Sequence, residues 1–224
     1  VVALAKTGTG KTAAFGLPLL QLIDVEKTNI QAVILAPTRE LGQQIYTNLV
    51  SFSTRLPAIS IATVCGGIPI KPQIERLKST THIVVATPGR LADLVERKAI
   101  DIKSISYFIL DEADEMLRMG FIDDVEWILQ QTPKTRQIAL FSATMPKEVH
   151  RIASNYLNNP TEVIIKQKTA TATTIEQKYL LVSGGHKLDA LTRILEAEEN
   201  MDASIIFVRT KTATVDLAER LEAR

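Results

Sequence analysis

The stretch Ala5-Lys6-Thr7-Gly8-Thr9-Gly10-Lys11-Thr12 decides the fold. An apolar run over residues 1–5 leads into it as a strand, and Thr12-Ala13-Ala14-Phe15 leads out as a helix. Gly8 and Gly10 fall in the turn between. Glycines there let successive backbone N–H groups converge on an anion, and the following helix adds the positive end of its dipole. Lys11 then reaches the β and γ phosphates of a nucleotide, and Thr12 offers its hydroxyl to Mg²⁺. The general pattern is G-x-x-x-x-G-K-[ST]; Ala5 stands at the first glycine and is small enough to keep the turn feasible. The plainer reading is a glycine-rich turn that only precedes a helix. The strand before it and the helix after it favour the phosphate cradle.

Working outward, strand-like and helix-like segments alternate. Residues 31–36 read as a buried strand, followed by Pro37-Thr38-Arg39-Glu40-Leu41 and a helix whose apolar face is Leu41, Ile45, Leu49 and Phe52. Those spacings are helical, Thr38 suits the N-cap, and Glu40 in the first turn suits the dipole. Residues 59–65 predict a strand, then Gly66-Gly67, a helix over 72–78 and a strand over 82–86. Thr87-Pro88-Gly89-Arg90 opens the next helix, with Thr87 at the cap and Pro88 at the first helical position, where its missing N–H costs nothing. Tyr107 to Leu110 is a strand running into Asp111-Glu112-Ala113-Asp114, and a helix follows through Ile122, Val125, Ile128 and Leu129. A last strand, 138–141, ends at Ser142-Ala143-Thr144 before a helix that Pro146 starts. This rhythm predicts an α/β fold, a doubly wound parallel sheet. Ligands of such sheets sit at the carboxyl ends of the strands, and every polar cluster just named follows one.

Near residue 166 the core pattern stops, and Lys, Gln, Thr and Ala take over. The expected organisation is a first domain over 1–167, a linker over 168–174 and the start of a second α/β unit over 175–224. In that unit 175–182 and 204–208 read as strands, while 187–196 and 212 onward read as helices. The chain opens inside a strand without Met and closes inside a helical pattern, which predicts a fragment of a longer protein.

Composition bounds the chemistry. With 46% apolar and 23% charged residues among 224, the chain is of ordinary globular make-up. A net charge of +1 means that any nucleic-acid affinity comes from a local groove and not from a polycationic surface. Cys65 is the only cysteine, which excludes an internal disulfide and a cysteine-rich zinc site and fits a cytoplasmic setting. No apolar run approaches transmembrane length, so no membrane partner is expected.

Asp111 and Glu112 together suit metal-assisted hydrolysis of a phosphoanhydride. Asp111 holds Mg²⁺ through water, and Glu112 orients and deprotonates the attacking water. The plainer alternative is an acidic turn capping the next helix. Asp123, Asp124 and Glu126 lie on the polar face of an amphipathic helix and read as solvated surface. Arg39 and Arg90, with Thr38, Thr87 and Gly66-Gly67, offer side-chain donors and backbone amides suited to phosphates and not to bases; taken singly, the threonines equally suit helix caps. Ser142 and Thr144 are placed to hydrogen-bond Asp114. His82, His150 and His186 have no ligand at metal spacing, and Trp127, Met116 and Met119 read as packing residues.

In this order, residues 5–12, 37–41, 87–90, 111–114 and 142–144 resemble motifs I, Ia, Ib, II and III of the DEAD-box ATP-dependent RNA helicases, and 205–210 resembles motif IV. Ala5 is that family's usual choice. Residues 116–122, 145–160 and 205–212 look most like the bacterial cold-shock DeaD-like branch. The resemblance implies two RecA-like domains closing over ATP and single-stranded RNA. It implies a nucleotide site at Ala5, Lys6, Thr7, Gly8, Thr9, Gly10, Lys11 and Thr12, with Mg²⁺ at Thr12 and Asp111 and catalysis by Lys11, Asp111 and Glu112. RNA backbone contacts are implied at Pro37, Thr38, Arg39, Gly67, Thr87, Gly89, Arg90 and Thr210, and coupling through Asp114, Ser142 and Thr144. Ribosome-assembly or RNA-degradation partners follow from the resemblance alone. The family's adenine-reading Q motif is expected upstream of Val1, and its motifs V and VI after Arg224. An ATP-gated RNA clamp and a DNA-acting translocase of the same superfamily remain as alternatives, separated from a helicase by strand displacement and by replacing ribose with deoxyribose.

Overall fold

Ala32–Leu35 (β2) has no polar residue and none with any exposed surface. Strands covered on both faces need such runs, and β2 lies between two parallel neighbours, Ile83–Ala86 (β4) and Tyr107–Leu110 (β5). The computed structural model, described over residues 1–6, 8–165, 175–198 and 201–223, builds on that centre a parallel sheet of seven strands. The others are Val2–Leu4 (β1), Ile61–Val64 (β3), Gln137–Ser142 (β6) and Glu162–Ile164 (β7), in the spatial order β3-β4-β2-β5-β6-β1-β7. The chain divides into two units, Val1–Gln167 and Lys168–Arg224, and the whole sheet belongs to the first.

Alternate side chains of each strand feed two cores. Val33 and Leu35 join Leu91, Leu94, Phe108 and Ile128 on one face, where Pro88–Glu96 (α4), Ile122–Gln130 (α6) and Lys147–Tyr156 (α7) contribute. Ala32 and Ile34 join Phe15, Leu19, Ile45 and Leu49 on the other, under Lys11–Leu22 (α1) and Arg39–Phe52 (α2). Each fully buried Leu or Ile contributes about 1.5–3 kcal/mol. Helices α1 and α2 touch closely at Gly16, where a Cβ would meet the Leu49 Cδ2 at 2.8 Å.

The parallel, doubly wound reading holds, with differences in detail. The short edge strand β7 went unread; all three of its residues are exposed, so it carries little burial pattern. The helix expected over 72–78 begins two residues earlier, as Ile70–Leu77 (α3). A separate helix, Ala113–Arg118 (α5), precedes α6, and the break falls at Gly120, whose φ of 79° suits glycine. At that break Met119 is 46% exposed and fills no core gap, whereas Met116 is buried and Trp127 packs against the core.

In the second unit Lys187–Ala197 (α8) and Lys211–Glu222 (α9) form as expected, since a helix satisfies its own backbone. The strands read over 175–182 and 204–208 do not form. A strand is defined by its ladder, and among the described residues neither segment has one; Tyr179, Leu181 and Phe207 stand 89%, 91% and 91% exposed. The expected linker, 168–174, lies outside the described residues. No helix among the described residues is long and apolar enough to cross a membrane.

Candidate functional site

Because every strand pairing among the described residues of the first unit is parallel, its polar clusters meet along one edge, and the strand order sorts them. The loops after β5, β6 and β1 are neighbours on one half of that edge. Those after β3, β4 and β2 share the other half. The ladder continues past the strand ends and fixes the loops: the Ala5 N–H donates to the Ser142 carbonyl (3.0 Å), that of Asp111 to Leu35 (3.0 Å) and that of Thr87 to Val64 (3.2 Å).

In the first half, Gly8 and Gly10 take φ of 80° and 84°, and among the described residues neither has a heavy atom within 4 Å of where a Cβ would stand. The cradle is therefore open, and Gly10 hands the chain to α1 with no side-chain cap on that helix. The Thr9 hydroxyl donates to the Lys6 carbonyl (2.7 Å) and braces the turn. The buried Lys11 Nζ lies 4.0 Å from the Asp111 Oδ1 and 4.0 Å from the Glu112 Oε1, with no hydrogen-bond partner among the described residues. A buried ammonium without a hydrogen bond among the described residues, beneath open glycines and beside two carboxylates, is a donor set that fits a phosphate with its magnesium ion. Thr7 lies outside the described residues.

The two carboxylates have different surroundings. Asp111 is 2% exposed; burial pushes its carboxyl up to about 6, with Lys11 opposing and Glu112 reinforcing the rise. Its Oδ1 accepts from the Glu112 N–H at 3.0 Å. Glu112 keeps 23% of its side chain exposed and adopts a left-handed backbone, φ 53° and ψ 53°, at the N-cap of α5. That conformation strains a residue with a Cβ, and it turns the chain sharply between the two acids.

Asp114 is held by the turn after β6. The Thr144 hydroxyl donates to its Oδ2 at 2.7 Å and the Thr144 N–H at 3.0 Å, while the Ser142 hydroxyl accepts from the Asp114 N–H at 3.2 Å. Burial alone raises the Asp114 carboxyl, but these donors outweigh it and hold the group below its ordinary range. The expected bonding among Asp114, Ser142 and Thr144 is present. Arg118, one helical turn on and 3.9 Å from Asp114, was readable from its i+4 spacing.

In the second half, Arg39, Thr87 and Arg90 converge on the loop 66–68. Thr38 caps α2 by accepting from the Leu41 N–H at 3.2 Å. Thr87 does not cap α4 with its side chain as expected; its hydroxyl accepts from the Gly66 N–H at 3.0 Å, because β3 and β4 bring that loop against it. Arg90 Nη2 donates to the Ile68 carbonyl at 3.0 Å, and its Nη1 is buried with no partner among the described residues. Arg39 Nη1 lies 4.0 Å from where a Gly67 Cβ would stand, and Arg39 Nη2 pairs with Glu40 at 3.1 Å. Pro37 precedes the Thr38 cap, and Gly89 sits in the first turn of α4. Thr210 belongs to the second unit, where it caps α9 by accepting from the Ala213 N–H at 3.1 Å.

The acids read as solvated surface divide. Asp123 is exposed, but Asp124 and Glu126 are half-buried; Glu126 pairs with Arg151 at 3.1 Å, and Asp124 lies against Gly89. Periodicity placed them on the polar face of α6 without showing that α4 and α7 border that face. The buried His82 accepts through Nδ1 from the Ser60 N–H at 2.9 Å.

Residues 1–152 match the family described as DEAD/DEAH box helicase. The chain is 47% identical over 224 residues to the ATP-dependent RNA helicase DeaD of Mycobacterium tuberculosis (strain ATCC 25618 / H37Rv), covering 100% of this chain and 39% of the relative. It is 48% identical over 222 residues to the ATP-dependent RNA helicase DeaD of Escherichia coli (strain K12), covering 99% and 35%. The chain thus spans less than half the length of these relatives. Among solved structures it resembles the crystal structure of a DEAD box protein from the hyperthermophile Methanococcus jannaschii, with a TM-score of 0.70 and 41% identity over 99% of this chain and 59% of that one.

Proposed function

The chain belongs to the DEAD/DEAH box helicase family, and from that premise we propose that it supplies the first RecA-like domain, and the start of a second, of an ATP-dependent RNA helicase. In the full-length protein, RNA-stimulated ATP hydrolysis is coupled to local separation of short duplexes. The observation that carries this reading is the buried Lys11 ammonium, without a hydrogen bond among the described residues, facing Asp111 and Glu112 beneath the open turn of Gly8 and Gly10.

The amides of the turn and of the first residues of α1 hold the phosphates of ATP, and Lys11 neutralises charge on the β and γ groups. Asp111, through water, and Thr12 would hold Mg²⁺, whose charge would offset that of the phosphates. Glu112, the more exposed acid of the pair, orients the attacking water and takes its proton. Arg39, Arg90 and the amides around Gly67 and Gly89 hold RNA phosphates, so binding follows the backbone and not the sequence. Asp114, Ser142 and Thr144 tie the acidic turn to β6 and relay the nucleotide state to domain closure. Thr210, in the second unit, joins the RNA contacts once that domain closes.

The test compares the full-length protein with its Lys11→Ala variant for ATP binding, RNA-stimulated phosphate release and displacement of a short labelled strand. The variant is expected to lose all three. Equal ATP binding by both proteins, or hydrolysis indifferent to RNA, overturns the reading; hydrolysis with no strand released points to an RNA clamp instead.

A further inference from the structure

Among the described residues, three cations bury a donor that meets no acceptor: Lys11 through Nζ, Arg90 through Nη1 and Arg136 through Nε. The first two belong to the nucleotide and backbone clusters described above. Arg136 does not. It precedes β6, whose far end, Ser142, lies on the site edge about 20 Å away at the rise of a strand. There, at the amino ends of the strands, Arg136 lines a cleft of about 500 Å³ beside the last residues of α6 and α7.

The cleft is rich in donors. Arg136 Nη1 donates to the Pro133 carbonyl at 2.7 Å, which holds the guanidinium in place while Nε stays unmet. Burial pulls this guanidinium below the ordinary arginine range, with Tyr156 opposing the fall. The Tyr156 hydroxyl accepts from Gln130 Nε2 at 3.4 Å, so its own proton is left to give. The exposed Lys134 adds an ammonium, and among the described residues no Asp or Glu lines the cleft. Leu129 and Leu157 supply an apolar wall.

Basic side chains also gather at helix C-termini to meet the last carbonyls. That explanation falls short here. Arg136 reaches a loop carbonyl instead, and the Ile128 and Leu129 carbonyls that end α6 already accept from the Gln131 and Thr132 N–H groups. A carboxylate offers two oxygens to Arg136, Lys134 and Tyr156 together, whereas a phosphate monoester offers three. A cleft of this volume also leaves room for more than the phosphate. We propose that it is a second anion site, which takes the phosphate monoester of a small organic molecule: Arg136, Lys134 and Tyr156 meet the phosphate oxygens, and Leu129 and Leu157 cover the carbon body. Its place on the opposite edge of the sheet leaves the nucleotide and RNA clusters free.

The experiment uses the full-length protein without nucleotide or RNA, and three probes: phenyl phosphate, inorganic phosphate and benzoate. Calorimetry gives the affinities, and ¹⁵N-arginine labelling follows the Arg136 Nε–H signal, assigned by its loss in Arg136→Lys. Phenyl phosphate is expected to shift that signal and to bind the Lys11→Ala variant as it binds wild type. Lys134→Ala is expected to weaken it by about tenfold, the loss of one charge-assisted hydrogen bond. Arg136→Gln should weaken it further; if that variant fails to fold, the exposed Lys134 decides alone. Benzoate and inorganic phosphate should each bind at least about tenfold more weakly than phenyl phosphate, for want of the third oxygen and of the carbon body respectively. Binding lost in Lys11→Ala places the probe in the nucleotide cradle and overturns the proposal. So does an affinity untouched by Lys134→Ala, an unmoved Arg136 signal, or either comparison probe binding as tightly as phenyl phosphate.

Discussion

Lys11 Nζ lies 4.0 Å from Asp111 Oδ1, both side chains are under a tenth exposed, and the ammonium makes no hydrogen bond among the described residues. The pair is thus held in place without being satisfied, which gives the metal-free protein a measurable pH signature. The folded Asp111 binds its proton up to about 6, against an ordinary 3.8, because burial disfavours its charge. A raised carboxyl contributes stability that is full below pH 3.8 and lost as the pH climbs through about 6. Asp111→Asn is therefore expected to be more stable than wild type at pH 7.5 in chelator, by about 1–3 kcal/mol, with the difference shrinking toward pH 4. Denaturant unfolding across that range is the check; a variant less stable at pH 7.5 sinks the prediction.

Glu112→Gln is expected to keep Mg-ATP binding and lose turnover. The amide occupies the same strained N-cap and still hydrogen-bonds, yet it cannot take the water's proton. General-base contributions of about 10² to 10⁴ make the loss plain in a single-turnover assay. Unchanged turnover would remove Glu112 from the chemistry.

Thr144→Val deletes the 2.7 Å hydrogen bond to the buried Asp114. A cost of about 1–3 kcal/mol in stability is expected. The folded Asp114 titrates below its ordinary value, so its contribution is present above pH 3.8 and lost as the pH falls through the lowered value. In the variant that loss should begin at higher pH. If Asp114 and Thr144 also couple the two domains, strand displacement falls further than RNA-stimulated hydrolysis does; a proportional fall in both argues for a purely structural bond.

RNA affinity is expected to fall with salt at about −0.7 in log–log slope for each phosphate neutralised, and to vary little with sequence. Arg39→Ala should make the slope shallower by about 0.7. Arg90→Ala should cost more, because Arg90 also ties down the Ile68 carbonyl and with it the loop that carries Gly67. Equal losses for the two variants would show that this tether does not matter.

Much of this was legible along the chain, for local physical reasons. The strands of the first unit announce themselves because burial on both faces demands unbroken apolar runs such as 32–35 and 83–86. The cradle announces itself because only glycine takes φ near 80° easily at positions 8 and 10. Where the signal was weak the reading slipped: β7 is three exposed residues at an edge, and the strand-like runs of the second unit have no ladder among the described residues.

By itself the sequence determined which residue types follow each strand, since apolar period, glycine and proline placement and acid pairs are properties of neighbours in the chain. It did not determine which of those clusters touch. Motif order along the chain is β1, β2, β4, β5, β6, but the sheet runs β3-β4-β2-β5-β6-β1-β7. That rearrangement sets Lys11 against Asp111 from a hundred residues away and gathers Arg39, Thr87 and Arg90 around one loop. The same packing turned Thr87 from a helix cap into the acceptor for Gly66, and Asp124 from a surface acid into the neighbour of Gly89. Only the tertiary structure decides such pairs, because a side chain's partner depends on which elements the shared core presses together, and that is not a local property of the chain.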